Sequence, residues 1–163
     1  MILVALVVAA FMVAEALRAA RNEHAQRARG GIEPAGDVYR IMRVAYPGSF
    51  AAMLGEGALR GFPGFAIVLA GAAVFAAAKA LKWWAILTLG PFWTFRVIAV
   101  PGAALVHRGP YRLVRHPNYI AVVGELAGVA MMTGALVTGP VATVVFCALL
   151  WKRTAIEDRA LRL

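Results

Sequence analysis

The chain has 163 residues and a formal net charge of +9, and 62% of its residues are hydrophobic. Only 15% of the residues are charged, whereas soluble domains carry about 25%. A soluble domain of this length has no interior large enough for so much apolar surface, so the composition predicts an integral membrane protein built as one compact domain. The basic residues lie beside apolar runs, where the positive-inside rule explains them, and this argues against a nucleic-acid-binding protein.

The first apolar segment, residues 1–17, has no basic residue before it. Signal peptides carry basic residues ahead of their apolar run, and here the basic residues follow it, so we expect a retained first helix. A membrane-spanning helix needs about 20 residues, so the last apolar segment holds two short helices, with a turn within residues 134–140. The apolar segments after the first lie at about 41–59, 61–81, 83–105 and 118–151, and 118–151 is the last segment.

The distribution of basic residues decides how many segments cross the membrane. If every segment crosses, six helices result, and Lys79 and Lys82 lie on the opposite side from the next cluster of arginines. If residues 61–88 form one helix and residues 89–117 an ordered loop, five spans remain, and all 17 Lys and Arg residues except Arg60 lie on one side. By the positive-inside rule that side is the cytoplasm. We therefore predict an all-α integral membrane protein with about five transmembrane helices, the N-terminus outside and the C-terminus cytoplasmic.

The single membrane domain divides into two parts in this scheme. Residues 1–88 form three N-terminal helices, and residues 89–163 form a loop, a helical hairpin and the end of the last helix. Gly-Pro and Pro-Gly pairs break the helical pattern in the loop. The segment 41–59 contains Pro47 and Gly48, so we expect its helix to be kinked or tilted.

Polar residues in the C-terminal part indicate a site. Glu125 lies seven residues after Asn118, so both side chains share one helical stripe two turns apart. A carboxylate at that depth is unfavourable unless it faces the bundle interior or a cavity. It is either a functional group or a hydrogen-bonded structural acid. Arg153 and Glu157 lie four residues apart on one helix face, either as a surface ion pair or as part of a site.

Other residues give weaker signals. Glu15, Arg18 and Asn22 share one helix face, and we expect a solvated helix end. Cys147 lies in an apolar run, where a small buried side chain is expected. Two glycine pairs at GxxxG spacing predict close helix packing, within the bundle or in a homodimer. Metal-binding and phosphate-binding motifs are missing, and His116 is the one histidine in a proline-braced segment.

The segment GPYRLVRHPNY, residues 109–119, is followed by an apolar hairpin and then by RTAIEDRAL. This combination resembles the isoprenylcysteine carboxyl methyltransferase family, whose pattern reads G-x-Y-x-x-x-R-H-P-x-Y and then R-x-x-x-E-[DE]-x-x-L. Related phospholipid methyltransferases share the first element. The resemblance covers about residues 85–163, and within the superfamily it is greatest to small bacterial alkylpyrone or alkylresorcinol O-methyltransferases.

The resemblance implies methyl transfer from S-adenosyl-L-methionine to a lipophilic acceptor, as O-methylation of a phenol, an enol or a carboxylate. A phospholipid N-methyltransferase is one alternative, and a non-enzymatic quinone- or haem-binding membrane subunit is another. Arg153 would face the acceptor, and Glu125 is the candidate for orienting or deprotonating an acceptor hydroxyl. By analogy, the cofactor would be bound by Ala103, Ala104, Leu105, Val106, Tyr111, His116, Pro117, Asn118, Tyr119 and Glu157.

The expected location follows from the same resemblance and from the charge distribution. We expect a multi-pass protein of the bacterial inner membrane whose active site faces the cytoplasm. Its expected partners are the lipophilic acceptor and membrane lipid, without nucleic acid, and a homodimer is a further expectation.

Overall fold

The computed structural model describes residues 1–61 and 63–161. In the described residues it contains five α-helices and no β-strand, which confirms the predicted all-α class. The helices are α1 (Ile2–Ala28), α2 (Tyr39–Arg60), α3 (Phe65–Leu89), α4 (Pro117–Thr133) and α5 (Thr138–Leu161). Two short 3₁₀ turns, Gly90–Phe92 and Gly109–Arg112, lie in the long loop between α3 and α4.

Three of these helices are long and apolar enough to cross a membrane: α1, α3 with the turn that follows it, and α5. Their outward faces carry large exposed apolar side chains, among them Leu3, Leu69 and Val144. A lipid environment accommodates such a surface, whereas soluble monomers rarely expose apolar patches of this extent. The chain is therefore an integral membrane protein. Five spans and their orientation remain predictions.

Successive helices run in opposite directions, so the bundle has two ends. At one end, the backbone amides of Val137 and Thr138 donate to the carboxylate of Glu56, at 3.1 and 2.7 Å, and join the end of α2 to the start of α5. The opposite end carries the end of α1, the start of α2, the loop 93–116 and the end of α5. We call it the loop end.

Small residues allow α3 and α4 to pack closely. A Cβ atom at Gly128 would lie 2.7 Å from the backbone nitrogen of Phe75, and one at Gly71 would lie 2.8 Å from the carbonyl oxygen of Gly128. A Cβ atom at Gly124 would lie 2.9 Å from the Cβ atom of Ala78. The pair Gly124 and Gly128 therefore serves packing within the bundle, as one of the two alternatives predicted.

Glycine and proline end the helices where the sequence predicts breaks. α3 ends at Leu89, followed by Gly90 with a φ of 56° and by a proline. α4 ends at Thr133, followed by Gly134 with a φ of 69°, a left-handed conformation that favours glycine. α5 begins at Thr138, so the hairpin turn lies within the predicted residues 134–140.

Predictions for three side chains are wrong. Cys147 is exposed, because it lies on the outward face of α5. Glu15 and Asn22 do not form a solvated helix end: Glu15 is buried, and the Asn22 side-chain amide donates to two loop carbonyls at 2.8 and 2.9 Å. Lys79 and Lys82, which the charge distribution places on the cytoplasmic side, are buried and face the bundle interior.

Candidate active site

A cavity of about 570 Å³ lies at the loop end of the bundle. Side chains of all five helices line it, together with Phe92 and residues of the loop 93–116. Its volume is in the range of small-molecule binding sites, about 300–1,000 Å³. Polar side chains occur at two depths: an outer polar group of His116, Tyr119, Arg153 and Glu157, and an inner polar group of Glu15, Tyr46, Lys79, Lys82 and Glu125.

Tyr119 is the centre of the outer polar group. Its hydroxyl donates to the carboxylate of Glu157 and accepts from Nε of Arg153 at 2.9 Å. Arg153 and Glu157 lie one turn apart on α5, and Tyr119 lies in the first turn of α4, so this hydroxyl ties the two helices together. Within the described contacts, Arg153 and Glu157 are joined through Tyr119 and do not form a direct ion pair.

The guanidinium of Arg153 is buried and connects α5 with both loops of this end. One terminal nitrogen donates to the carbonyl oxygen of Phe95 at 2.6 Å, and the other lies 3.5 Å from Oδ1 of Asp37. Asp37 also accepts from the backbone amides of Tyr39 and Val97, at 3.2 and 3.1 Å. A buried cation needs such partners, and Asp37 is a residue that the sequence analysis did not identify.

His116 is held between the ring of Tyr119 and two acids of α5. The two rings are stacked, with centroids 5.1 Å apart and an angle of 5° between their planes. Nε2 of His116 lies 3.0 Å from Oδ1 of Asp158, and Nδ1 lies 3.6 Å from Oε2 of Glu157. Pro117 follows at the first position of α4, where proline is favoured because it needs no amide hydrogen.

The predicted cofactor-binding residues lie together around the outer part of the cavity, with one exception. Pro117 is buried, and it is not one of the described residues that line the cavity. Oδ1 of Asn118 is buried without a hydrogen-bond partner in the described part of the chain, so it would accept a bond from a ligand. The predicted residues that do line the cavity are Ala103, Ala104, Leu105, Val106, Tyr111, His116, Asn118, Tyr119 and Glu157.

Tyr111 adds a neutral hydroxyl to this region. Burial, and then the negative charge of Glu157, raise the pKa of the Tyr111 phenol well above its usual range. The phenol therefore stays protonated at physiological pH and can donate a hydrogen bond.

The loop over the cavity is braced against the connection between α1 and α2. The guanidinium of Arg96 lies 2.7 Å from Glu33 and 3.1 Å from Glu23, and it lies over the ring of Tyr39 at 4.4 Å. Burial raises the pKa of Glu33, but hydrogen bonds from Arg96 and Arg27 outweigh it, and the pKa lies below its usual value. These contacts hold the cavity wall in a defined position.

A second brace is formed by the backbone. Ile32 and Ala99 exchange two backbone hydrogen bonds of 2.9 Å each, in an antiparallel bridge. The bridge joins the same two connections as Arg96 does, so the loop has both side-chain and main-chain support.

The inner polar group is a charge-balanced cluster in the bundle interior. Lys79 contacts Glu15 at 2.8 Å and Glu125 at 3.0 Å, and Lys82 contacts the same two carboxylates at 2.7 and 3.1 Å. The hydroxyl of Tyr46 donates to Glu125. Two positive and two negative charges at these distances compensate each other, which allows ionised groups at this depth.

Glu125 reaches the cavity only through other members of the cluster. Its side chain is completely buried, and it is not among the described residues that line the cavity. Tyr46 and Lys82 contact it and do line the cavity, as does Glu15. A direct role of Glu125 on an acceptor hydroxyl stays a prediction. The spacing of Lys79 and Lys82, three residues apart in an apolar helix, is a sequence signal that points to an interior cluster.

Comparison with known proteins gives one family. The family model described as the isoprenylcysteine carboxyl methyltransferase (ICMT) family matches residues 69–163. An uncharacterized protein of Bacillus subtilis (strain 168), YpbQ, is 30% identical over 149 residues, which cover 91% of this chain and 89% of that protein. No solved structure matches the chain.

Proposed function

Because this chain belongs to the isoprenylcysteine carboxyl methyltransferase family, we propose that it transfers the methyl group of S-adenosyl-L-methionine to a hydroxyl group of a lipophilic acceptor. Membership of this family indicates a membrane methyltransferase that uses S-adenosyl-L-methionine. The identity of the acceptor is what we propose here. One observation carries it: a single cavity joins the residues of the family motifs to a second polar group deeper in an apolar bundle.

The outer part of the cavity fits the cofactor by its hydrogen-bonding groups. S-Adenosyl-L-methionine supplies a methyl group on a positively charged sulfur. The free carbonyl oxygen of Asn118 suits a donor such as an amino group, and the carboxylate of Glu157 suits a ribose diol or the ammonium group. The rings of Tyr111 and Tyr119 line the same region and favour a cation over their faces.

The cavity also extends toward the lipid. Exposed residues of two helices line it: Ala16 and Ala20 on α1, and Arg43 and Pro47 on α2. An acceptor with a long apolar tail would leave its tail between these helices and place its head group in the cavity. This arrangement keeps the reacting oxygen away from bulk water, which methyl transfer by direct displacement requires.

Arg153 is the residue we assign to the acceptor side. Its buried guanidinium lines the cavity and is fixed by Tyr119 and the loop carbonyl of Phe95. A positioned cation stabilises negative charge on an attacking oxygen without reorganisation during the reaction. Glu125 accepts a hydrogen bond from the hydroxyl of Tyr46 and lies behind it, so it would orient that side chain without contacting the oxygen.

The loop end faces the cytoplasm in this proposal, within the bacterial inner membrane. Arg108, Arg112 and Arg115 are exposed at this end, whereas Arg60 lies at the opposite end. If the buried Lys79 and Lys82 are left out of the count, the loop end still has more basic residues than the opposite end, which agrees with the positive-inside rule. The cofactor would then enter from the cytoplasm.

An acceptor screen with the purified protein tests the proposal. Labelled S-adenosyl-L-methionine is offered with a long-chain alkylphenol, with the alkylbenzoic acid of the same tail, and with phosphatidylethanolamine. We expect label on the phenol. Label on the amine lipid alone would identify a phospholipid N-methyltransferase, and a Soret band in the visible spectrum, without transfer, would identify a haem-binding subunit.

A further inference from the structure

The two carboxylates of the inner polar group differ in their access to the cavity. Glu15 lines the cavity, as do Lys82 and Tyr46. Glu125 and Lys79 lie behind them, outside the described lining. Of the two acids, Glu15 is thus the one that a molecule in the cavity can contact directly.

The two carboxylates also differ in how much of their hydrogen-bonding capacity is used. Oε2 of Glu125 accepts hydrogen bonds from Lys82 and from the hydroxyl of Tyr46, and its Oε1 lies 3.0 Å from Nζ of Lys79. Oε1 of Glu15 accepts a hydrogen bond from Lys79 at 2.8 Å, and its Oε2 lies 2.7 Å from Nζ of Lys82. A carboxylate offers about four acceptor sites, so Glu15 keeps acceptor capacity beside the cavity.

Lys82 is in the opposite situation. Its ammonium donates hydrogen bonds to Glu125 at 3.1 Å and to the oxygen of Tyr46 at 3.4 Å, and it forms an ion pair with Glu15 at 2.7 Å. Within the described contacts, the charge of Lys82 is therefore already compensated by oxygens of the inner polar group. Beside it, the inner end of the cavity offers the carboxylate of Glu15, which suits a hydroxyl group and not a second carboxylate.

We propose, on the basis of the proposed function, that Glu15 receives the proton of the acceptor hydroxyl during methyl transfer. The acceptor oxygen forms a bond to the methyl carbon as the carbon–sulfur bond breaks, and the sulfur keeps that electron pair. The proton of the hydroxyl passes to a carboxylate oxygen of Glu15. The positive charge lost from sulfur thereby appears on the inner polar group, and the proton then leaves to water in the cavity.

The neighbours of Glu15 suit this role. Lys79 and Lys82 of α3 contact it, one on each oxygen, and balance its negative charge. Glu125 of α4 and Tyr46 of α2 complete the set of titratable groups around these lysines. Because Glu125 continues to compensate the lysines when Glu15 is neutralised, one excess positive charge remains, not two.

The test uses variants that keep the cluster neutral. Glu15→Leu/Lys79→Met removes one negative and one positive charge and leaves the Lys82–Glu125 pair. Lys79→Met/Glu125→Gln removes the same charges and keeps Glu15. Both lack the same lysine, so a difference between them reports which carboxylate acts on the hydroxyl. Retained binding of S-adenosylhomocysteine and an unchanged unfolding transition show that a variant is folded.

The first readout is binding without cofactor, measured by calorimetry with a long-chain alkylphenol and its methyl ether. We expect the wild type and Lys79→Met/Glu125→Gln to prefer the phenol by about tenfold, because a hydrogen bond to a charged acceptor is worth roughly 1.5–3 kcal/mol. We expect Glu15→Leu/Lys79→Met to bind both equally. The same ratio of phenol to methyl ether affinity in all three proteins would overturn the proposal.

The second readout is the pH profile of turnover. At neutral pH, loss of Glu15 should lower kcat on the phenol by about 10²–10⁴-fold and leave cofactor binding unchanged. The rate should recover as the pH approaches the pKa of the phenol itself, about 10. Normal kcat at neutral pH would contradict the role of Glu15. If the wild type binds S-adenosylhomocysteine but methylates no phenol, the proposed function fails, and the binding preference still reports on Glu15.

Discussion

Removing one charge from the inner polar group should destabilise the bundle far more than removing two opposite charges. Lys79→Met leaves two carboxylates against one ammonium in the bundle interior. Lys79 contacts both carboxylates within 3.0 Å and is buried, with its ammonium also 4.9 Å from the centre of the Phe11 ring. Removing one partner of a buried ion pair lowers the free energy of unfolding by about 3–5 kcal/mol, because the charge of the other partner stays buried without compensation.

The double variant Lys79→Met/Glu125→Gln restores neutrality and should recover most of that loss. Replacing a buried pair by neutral groups is often close to neutral in free energy, so we expect a coupling of at least about 2 kcal/mol between the two substitutions. Reversible unfolding in mixed detergent micelles measures it. Arg60→Met, which removes an exposed guanidinium 2.6 Å from Glu56, is the control and should change stability little. Additive losses in the double variant would refute the charge-balance argument.

Three further predictions concern the loop, the helix packing and the outer polar group. The pKa of Glu33 lies below its unfolded value, so the stability that its ion pairs add should be present at neutral pH and disappear as the pH falls below about 4.3. Comparing the unfolding free energies of the wild type and Glu33→Gln across pH checks this. A difference that does not change with pH would contradict it. Gly128→Ala places a Cβ atom 2.7 Å from a backbone nitrogen of α3 and should cost about 1–3 kcal/mol in the same unfolding assay, whereas Gly48→Ala, in open space, should not. Tyr119→Phe removes the hydroxyl shared by Arg153 and Glu157 and should lower kcat on the alkylphenol by at least about tenfold; an unchanged kcat would show that this link is not needed.

Local signals explain why much of the fold could be predicted. Gly90 and Gly134 end helices because their positive φ angles favour glycine, and Pro91 directly after Gly90 opposes continuation of α3. These effects act within a few residues, so they are visible in the sequence. The outer polar group could be predicted because its members lie in two short motifs that the family shares.

The contacts between distant segments could not be predicted in the same way. Asp37 meets Arg153 across 116 residues of sequence, and Glu15 meets Lys79 across 64. The charge distribution predicts the membrane side of Lys79 and Lys82, but a count of charges does not show which way a side chain points. Only the packing of α1, α3 and α4 brings the opposite charges together and makes their burial favourable.

Equilibrium binding of S-adenosylhomocysteine to the purified protein tests most directly whether the cavity at the loop end is the cofactor site. We expect one molecule bound per chain, with affinity reduced about tenfold or more in Glu157→Ala and in His116→Ala, since each loses a charged or ring hydrogen-bonding group at the cavity. Exposed His24→Ala, at the end of α1, should bind like the wild type. Equal affinity in all four proteins, or no binding to the wild type, would contradict the assignment.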